Sequence, residues 1–266
     1  MTDERSIWDG GPVTTNFGTG PGTITADGCA VEVYARLPAT GEPDIIHGVL
    51  AESASVLDLG AGVGRIADPL VDLGHRVVAV DDCAEMLAHV RKAATVLCTI
   101  EDVRLPERFD AVLLASFLIN TPDASQRTAF FTAARHHLAT GGEVLMQWHP
   151  PEWFDSLTPG GTYHGGARYA PGRSPNHEEG LISTLKVEDL SNDLLRAVVT
   201  YDLADQRWTR GWEAHRLTVE DLQHGLEISG LRLDRFLTED RTWLLATTHE
   251  AAQAEATQPA RLTPSR

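Results

Sequence analysis

Apolar and polar positions follow two rhythms along the chain, and each rhythm predicts a kind of element. Short, nearly unbroken apolar runs at 55–60 (SVLDLG), 75–81 (HRVVAVD), 95–100 (TVLCTI), 110–117 (DAVLLASF) and 143–149 (EVLMQWH) read as strands buried on both faces. Between them, apolar residues spaced three and four apart predict helices over 64–74, 83–93 and 124–140. Two further short helices, 29–38 and 43–52, precede the first strand. Gly74 is placed to close one helix, and Gly141–Gly142 to end another. Such alternation implies right-handed crossovers and a doubly wound, mostly parallel α/β sheet. Its ligand belongs outside the carboxyl ends of the strands.

The rhythm changes after residue 150. Gly and Pro crowd the segment 150–180, which reads as loop. Three β-like runs follow at 181–189, 194–203 and 206–216, the last two joined around ADQR as a hairpin. TVEDLQHGLEISG (218–230) predicts a helix with a Thr218/Asp221 capping box and Gly230 at its end. Two closing strands are expected at 231–237 and 242–248. The organisation expected is an N-terminal arm with cap helices (1–52), a ligand-binding core (53–149), an antiparallel capping insertion (150–217) and closing elements of the core (218–249). The first 28 residues read as a loose arm, and 250–266, without apolar periodicity, as a disordered tail.

Composition narrows the function. The chain is 42% hydrophobic and 23% charged, as in ordinary globular proteins, and 266 residues suffice for a sizeable core. A formal net charge of −16 disfavours nucleic acid and anionic membranes as partners, since both demand clustered Lys and Arg. Three cysteines without CxxC spacing point to a reducing compartment. The acidic N-terminus is unlike a secretory signal, and no apolar stretch reaches membrane-spanning length, so a cytoplasmic protein is expected. No His, Cys, Asp and Glu set has metal-ligand spacing, and no metal is expected. Homodimerisation is left open.

The stretch VLDLGAGVGR (56–65) carries the candidate chemistry. Gly60, Gly62 and Gly64 stand where the chain leaves a strand, turns and enters a helix, so a ligand can approach the main chain without meeting a Cβ. Asp81, ending the second strand, can accept hydrogen bonds from ribose hydroxyls. Both NAD and S-adenosylmethionine (SAM) satisfy this much. Two details favour SAM: the glycines fall at i, i+2 and i+4 rather than as GxGxxG, and Asp58 stands two residues before the first of them. That carboxylate suits a sulfonium and an ammonium better than two phosphates.

VLDLGAGVGR, VVAVDDCAEML, FDAVLLASFLIN and LATGGEVLM together resemble, in order and spacing, the motifs of class I SAM-dependent methyltransferases. The resemblance is strong over 52–149 and weaker over 218–248. It implies a seven-stranded Rossmann-like sheet with an antiparallel last hairpin, and a variable insertion that caps the acceptor. It also implies that Gly60, Ala61, Gly62 and Gly64 wrap the methionine and ribose parts of SAM, with Asp58 behind them. Asp81 would hold the ribose, Met86, Ile100 and Glu101 would meet the adenine, and Ala115 and Ser116 would lie near the methionine end. Thr99 stands where many relatives have Asp, a departure that bears on recognition of the exocyclic amine. The overall pattern looks like small-molecule methyltransferases of actinobacterial secondary metabolism, with a narrower similarity to those that methylate indole carbon in tryptophan-derived cyclic dipeptides.

Methyl transfer needs an aligned nucleophile, exclusion of water and, where the nucleophile bears one, a proton acceptor. His149, just past the fifth strand, is the first candidate base, although it also reads as a histidine bonded to loop backbone beside Pro150. Tyr34 is the second candidate, with packing as its other reading. Trp148, Trp153, Tyr163, His164 and Trp212 complete the expected acceptor subsite, the pair at 163–164 on a lid. Trp208 and Trp212 share one strand face with Tyr201 across the hairpin, which suits a flat aromatic acceptor or simple stitching of the sheet. Arg65 reads as a surface ion-pair residue, and His136 and His137 as exposed. Two other classes compete: an NAD-dependent oxidoreductase and a non-catalytic SAM-fold binding protein.

Overall fold

A computed structural model describes residues 16–164 and 181–248. The apolar runs form β2 (Ser55–Leu59), β3 (Arg76–Asp81), β4 (Ala94–Leu97), β5 (Phe109–Leu114) and β6 (Leu138–Gln147). With β11 (Leu231–Phe236) and β12 (Trp243–Thr248) they make one sheet in the order β11-β12-β6-β5-β2-β3-β4. The pairs from β6 through β4 are parallel, whereas β12 runs antiparallel to β6 and to β11. The strand order reverses at β2, which lies between β3 and β5, and the glycine turn leaves that switch point.

Both faces are covered, as near-continuous apolar strands require. Leu57, Leu59, Val78, Val80, Val112 and Leu114 pack against α5 (Ala124–His137) and α7 (Val219–Ile228). The alternate residues Val56, Val77, Ala79, Ala111 and Leu113 pack against α2 (Glu42–His47) and α3 (Ala67–Asp72). The capping box forms as expected: Thr218 accepts from the Asp221 amide at 3.0 Å, and Asp221 accepts from the Thr218 amide at 3.1 Å.

A second, five-stranded sheet is antiparallel throughout, in the order β1-β10-β9-β8-β7. Its members are β1 (Phe17–Thr19), β7 (Thr162–His164), β8 (Ile182–Ser191), β9 (Leu194–Leu203) and β10 (Gln206–His215). The short helices α1 (Val31–Tyr34) and α6 (Pro151–Asp155) pack on it through Val33, Trp153 and Phe154.

The elements depart from the sequence expectation where side chains capture backbone. The helix expected over 83–93 is only α4 (Ala84–Leu87), because Asp68 accepts from the amides of Arg91, Lys92 and Ala93 and draws that segment aside. The helix expected from residue 64 begins at Ala67, since Gly62 and Gly64 hold left-handed φ of 56° and 78°. α5 passes straight into β6, so Gly141–Gly142 lie inside a strand rather than ending a helix. From residue 16 the arm is ordered: β1 pairs with β10, the Phe17 ring covers Gly211, and the Trp208 indole donates to the Pro21 carbonyl at 2.7 Å. His137 is buried rather than exposed, with Nδ1 donating to the Ala133 carbonyl at 2.8 Å and Nε2 accepting from the Leu105 amide at 3.1 Å. The expected disordered tail, 250–266, lies outside the described residues.

Candidate functional site

A cavity of about 550 Å³ lies between the carboxyl edge of the seven-stranded sheet and one face of the five-stranded one. Its floor begins at the turn after β2. Gly60, Ala61 and Gly62 line it, and a Cβ on Gly62 would meet no protein atom within 4 Å. That vacant approach is what a ligand against the main chain requires.

Two carboxylates attend the turn. Asp81 accepts from the Gly62 amide at 2.7 Å and the Cys83 amide at 3.0 Å, so it shapes the turn it would share with a ribose. Burial raises its carboxyl above the usual range, the two amides pull it back, and Asp82 and Asp27 raise it again. Asp58 is buried, facing the layer that holds α2 and α3. Burial pushes it up to about 7, with Arg65 opposing and Asp81 reinforcing the rise. Arg65 is not a surface residue: it forms a buried ion pair with Glu42 at 2.6 Å and lines the cavity.

Met86, Ile100, Glu101, Thr99 and Gln126 line one end of the cavity, with Met86 packed beside Cys29 and Val31. Ser116 and Phe117, just past β5, both hold positive φ, at 56° and 63°. Non-glycine residues adopt that conformation rarely and at a cost. The Ser116 amide donates to Gln147 Oε1 at 2.9 Å, which ties this strained corner to β6.

His149 stands at the far wall. Its ring lies between Phe117 and Trp153, with centroids 3.7 Å away on each side and interplanar angles of 7° and 16°. Both faces are thus covered and only its edge is left for the cavity. Its backbone is pinned by Asn120, which accepts from the His149 amide at 2.8 Å and donates to its carbonyl at 3.1 Å. Burial holds its pKa well below the ordinary value, so the imidazole is neutral.

The structure brings Tyr34, Gly60, Ala61, Gly62, Asp81, Met86, Ile100, Glu101, Ser116, His149 and Trp212 to one cavity. Others expected there serve it from behind or lie elsewhere. Trp153 backs His149, Ala115 is buried beneath the corner, and Gly64 packs on Val90. Trp148 is a core residue whose indole donates to the Arg241 carbonyl at 2.7 Å. Tyr163 accepts from the Thr158 amide at 2.8 Å and His164 is exposed on β7; neither lines the cavity, and the rest of the expected lid segment, 165–180, lies outside the described residues. Sequence reasoning missed Phe117, Asp27 and Arg210, all on the cavity wall. Among the described residues no cluster of three metal-ligating side chains occurs, and no helix is long and apolar enough to cross a membrane.

Gly62→Ala should cost only about 1–3 kcal/mol of stability from its left-handed φ, yet weaken cofactor affinity at least about tenfold by filling the open space. Thermal unfolding read beside titration with S-adenosylhomocysteine separates the two effects. Asp81→Asn, which leaves one accepting oxygen for the Gly62 and Cys83 amides and turns an NH2 donor towards the other, should weaken the same titration about tenfold or more.

Residues 56–142 match the Methyltransferase domain family. Uncharacterized methyltransferases of Mycobacterium tuberculosis and Mycobacterium bovis are 42% identical over 94 residues, a match covering 33% of this chain and 39% of theirs. The match thus spans about two fifths of the length of those relatives. Among solved structures, the sugar N-methyltransferase KedS8 of a Streptoalloteichus species aligns with a TM-score of 0.65 at 17% identity, covering 86% of this chain and 98% of that one. The CcbJ methyltransferase of Streptomyces caelestis gives 0.65 at 19% identity over 82% and 95%. A SAM-dependent methyltransferase of Clostridium acetobutylicum gives 0.63 at 15% over 81% and 94%. Residues 56–142 are thus similar to a methyltransferase domain, and the fold is the one seen in solved SAM-dependent methyltransferases.

Proposed function

We propose that the chain transfers a methyl group from SAM to a small, flat aromatic acceptor held under the five-stranded sheet, an indole being the narrowest form of that reading. One observation carries it: Asp81 closes, through the Gly62 amide, a glycine turn whose open side faces the cavity, and a second carboxylate, Asp58, is buried behind that turn rather than in the cavity lining. Such a site gains from a ligand that brings positive charge to one carboxylate and hydroxyl donors to the other. When bound, SAM supplies an electrophilic methyl group on a sulfonium.

The chain's own residues supply the rest. Gly60, Ala61 and Gly62 would receive the methionine and ribose portions, Asp81 the ribose hydroxyls, and Met86 and Ile100 the adenine face. Phe117, Trp212 and Tyr201 offer ring surfaces that exclude water around a flat acceptor. The edge of His149 accepts a proton from an acceptor atom that bears one. Tyr34 is tied to the cap, its hydroxyl oxygen accepting from Arg210 Nη1 at 2.9 Å, which makes it a wall and anchoring group.

Thermal unfolding of the full chain with SAM, S-adenosylhomocysteine and NAD tests the donor. Mass spectrometry over a panel of indoles, phenols and amines then seeks a product heavier by one methylene. Stabilisation by SAM and its product, with turnover of a panel member, is expected. Stabilisation by NAD alone would return the chain to the oxidoreductase class, and binding without turnover of any acceptor to a non-catalytic one.

A further inference from the structure

The face of the five-stranded sheet that lines the cavity is mostly apolar, its polar side chains there being Ser183, Tyr201 and Arg210. On β10 the side chains of Trp208, Arg210, Trp212 and Ala214 share that face, and on β9 Tyr201, Val199, Ala197 and Leu195 stand opposite them. Ser183, Leu185 and Val187 of β8 continue it. Arg210 is therefore the one cation among these residues. It lines the cavity with a side chain 22% exposed. A guanidinium set in an apolar wall costs desolvation unless its donors are met.

Three of its five N–H donors are met by the N-terminal segment. Nη1 donates to Tyr34 Oη at 2.9 Å, Nη2 to Asp27 Oδ2 at 3.1 Å, and Nε to the Asp27 carbonyl at 3.4 Å. One donor on each Nη atom has no partner among the described residues. A pair of N–H groups on a rigid planar cation matches the two oxygens of a carboxylate. The Arg210 partner Asp27 acts on Asp81 and accepts from Cys29, which packs beside Met86, whereas Trp212 on the same face of β10 stands 6.3 Å from His149, so Arg210 lies between the cofactor end and the acceptor wall. Trp212, the next side chain on the same face, lies about 7 Å along the strand, within reach of one small molecule.

We propose that Arg210 binds an anionic group of the acceptor, which is an aromatic carboxylate with its ring against Trp212. The proposal rests on the methyltransferase reading and sharpens it, selecting a charged acceptor over a neutral cyclic dipeptide. Held by cationic donors, the carboxylate is an anchor and a poor nucleophile, so the methylated atom lies elsewhere on the ring system.

The test is calorimetric titration of the full chain saturated with S-adenosylhomocysteine, using indole acetate, indole propionate and hydroxyphenyl acetate, each beside its methyl ester. At least one acid should bind about tenfold or more tightly than its ester. Arg210→Met should erase that preference while leaving S-adenosylhomocysteine affinity unchanged, and Arg210→Lys should restore part of it. Equal binding of acids and esters, binding of neither, or a preference that survives Arg210→Met overturns the proposal. So does an Arg210→Met variant that weakens acid, ester and S-adenosylhomocysteine together, since the residue would then only fasten the N-terminal segment. Failure of the unaltered chain to bind S-adenosylhomocysteine is a different result and sinks the methyltransferase reading itself.

Discussion

Exchanging His149 for Phe is expected to lower turnover about 100-fold or more at saturating SAM, while leaving affinity for S-adenosylhomocysteine unchanged. The substitution keeps what the ring does structurally. A phenyl group can still lie between Phe117 and Trp153, and Asn120 holds the backbone of residue 149 whatever its side chain. What disappears is the edge nitrogen, the only part of the ring left to the cavity. The pH profile gives an independent reading. Burial keeps the imidazole neutral, so the wild-type rate should hold as pH falls through the ordinary histidine range rather than dropping there. The folded pKa lies below the unfolded value, so this histidine contributes stability above the unfolded pKa, and that is lost as pH falls towards the folded one. The Phe variant should accordingly be less sensitive to acid unfolding. Unchanged turnover would remove His149 as the base, and joint loss of turnover and product affinity would mark it as a strut of the cavity.

The sheet and the cofactor end were legible because they depend on local chemistry. Five apolar runs, a glycine turn and an acid at a strand end each announce themselves within ten residues of sequence, and all of them fall where expected. The capping box at Thr218 is equally local. The acceptor side depends on long-range pairing and was read less well. Asp27 and Arg210 are 183 residues apart, and nothing in the N-terminal segment signals that it pairs with β10. One signal for Arg210 was present all the same. It lies midway between Trp208 and Trp212, on the face those residues were expected to share, and strand periodicity puts all three together. Tyr163 and His164 fall on β7, an edge strand among the described residues, with His164 exposed, and the Gly-rich segment that suggested a lid lies outside the described residues. His137 shows the same limit, since only the fold reveals the Leu105 amide that its ring accepts from.

Affinity for SAM should fall roughly tenfold for each pH unit below about 7, reaching about 100-fold near pH 5, and Asp58 is the cause. In the ligand-free chain burial raises this carboxyl above its unfolded value, so the folded state binds more protons between the two. Its contribution to stability therefore falls as pH rises towards 7, and at neutral pH the chain carries a costly half-ionised group beneath the glycine turn. Arg65 cannot fully relieve it, because Glu42 already claims that guanidinium at 2.6 Å. A cationic ligand at the turn favours the ionised form, so binding on the acid side must release up to one proton. Titrations in buffers of different ionisation enthalpy count that proton directly. Asp58→Asn should weaken binding at neutral pH and flatten the dependence at once, because the group that titrates is gone. S-adenosylhomocysteine, which keeps the ammonium but lacks the sulfonium, should show a shallower slope than SAM. Equal slopes would assign the coupling to the ammonium alone. Affinity independent of pH with no proton released would show that Asp58 does not face the ligand's charge, and the buried acid that first separated SAM from NAD would then be a structural residue of the α2–α3 layer.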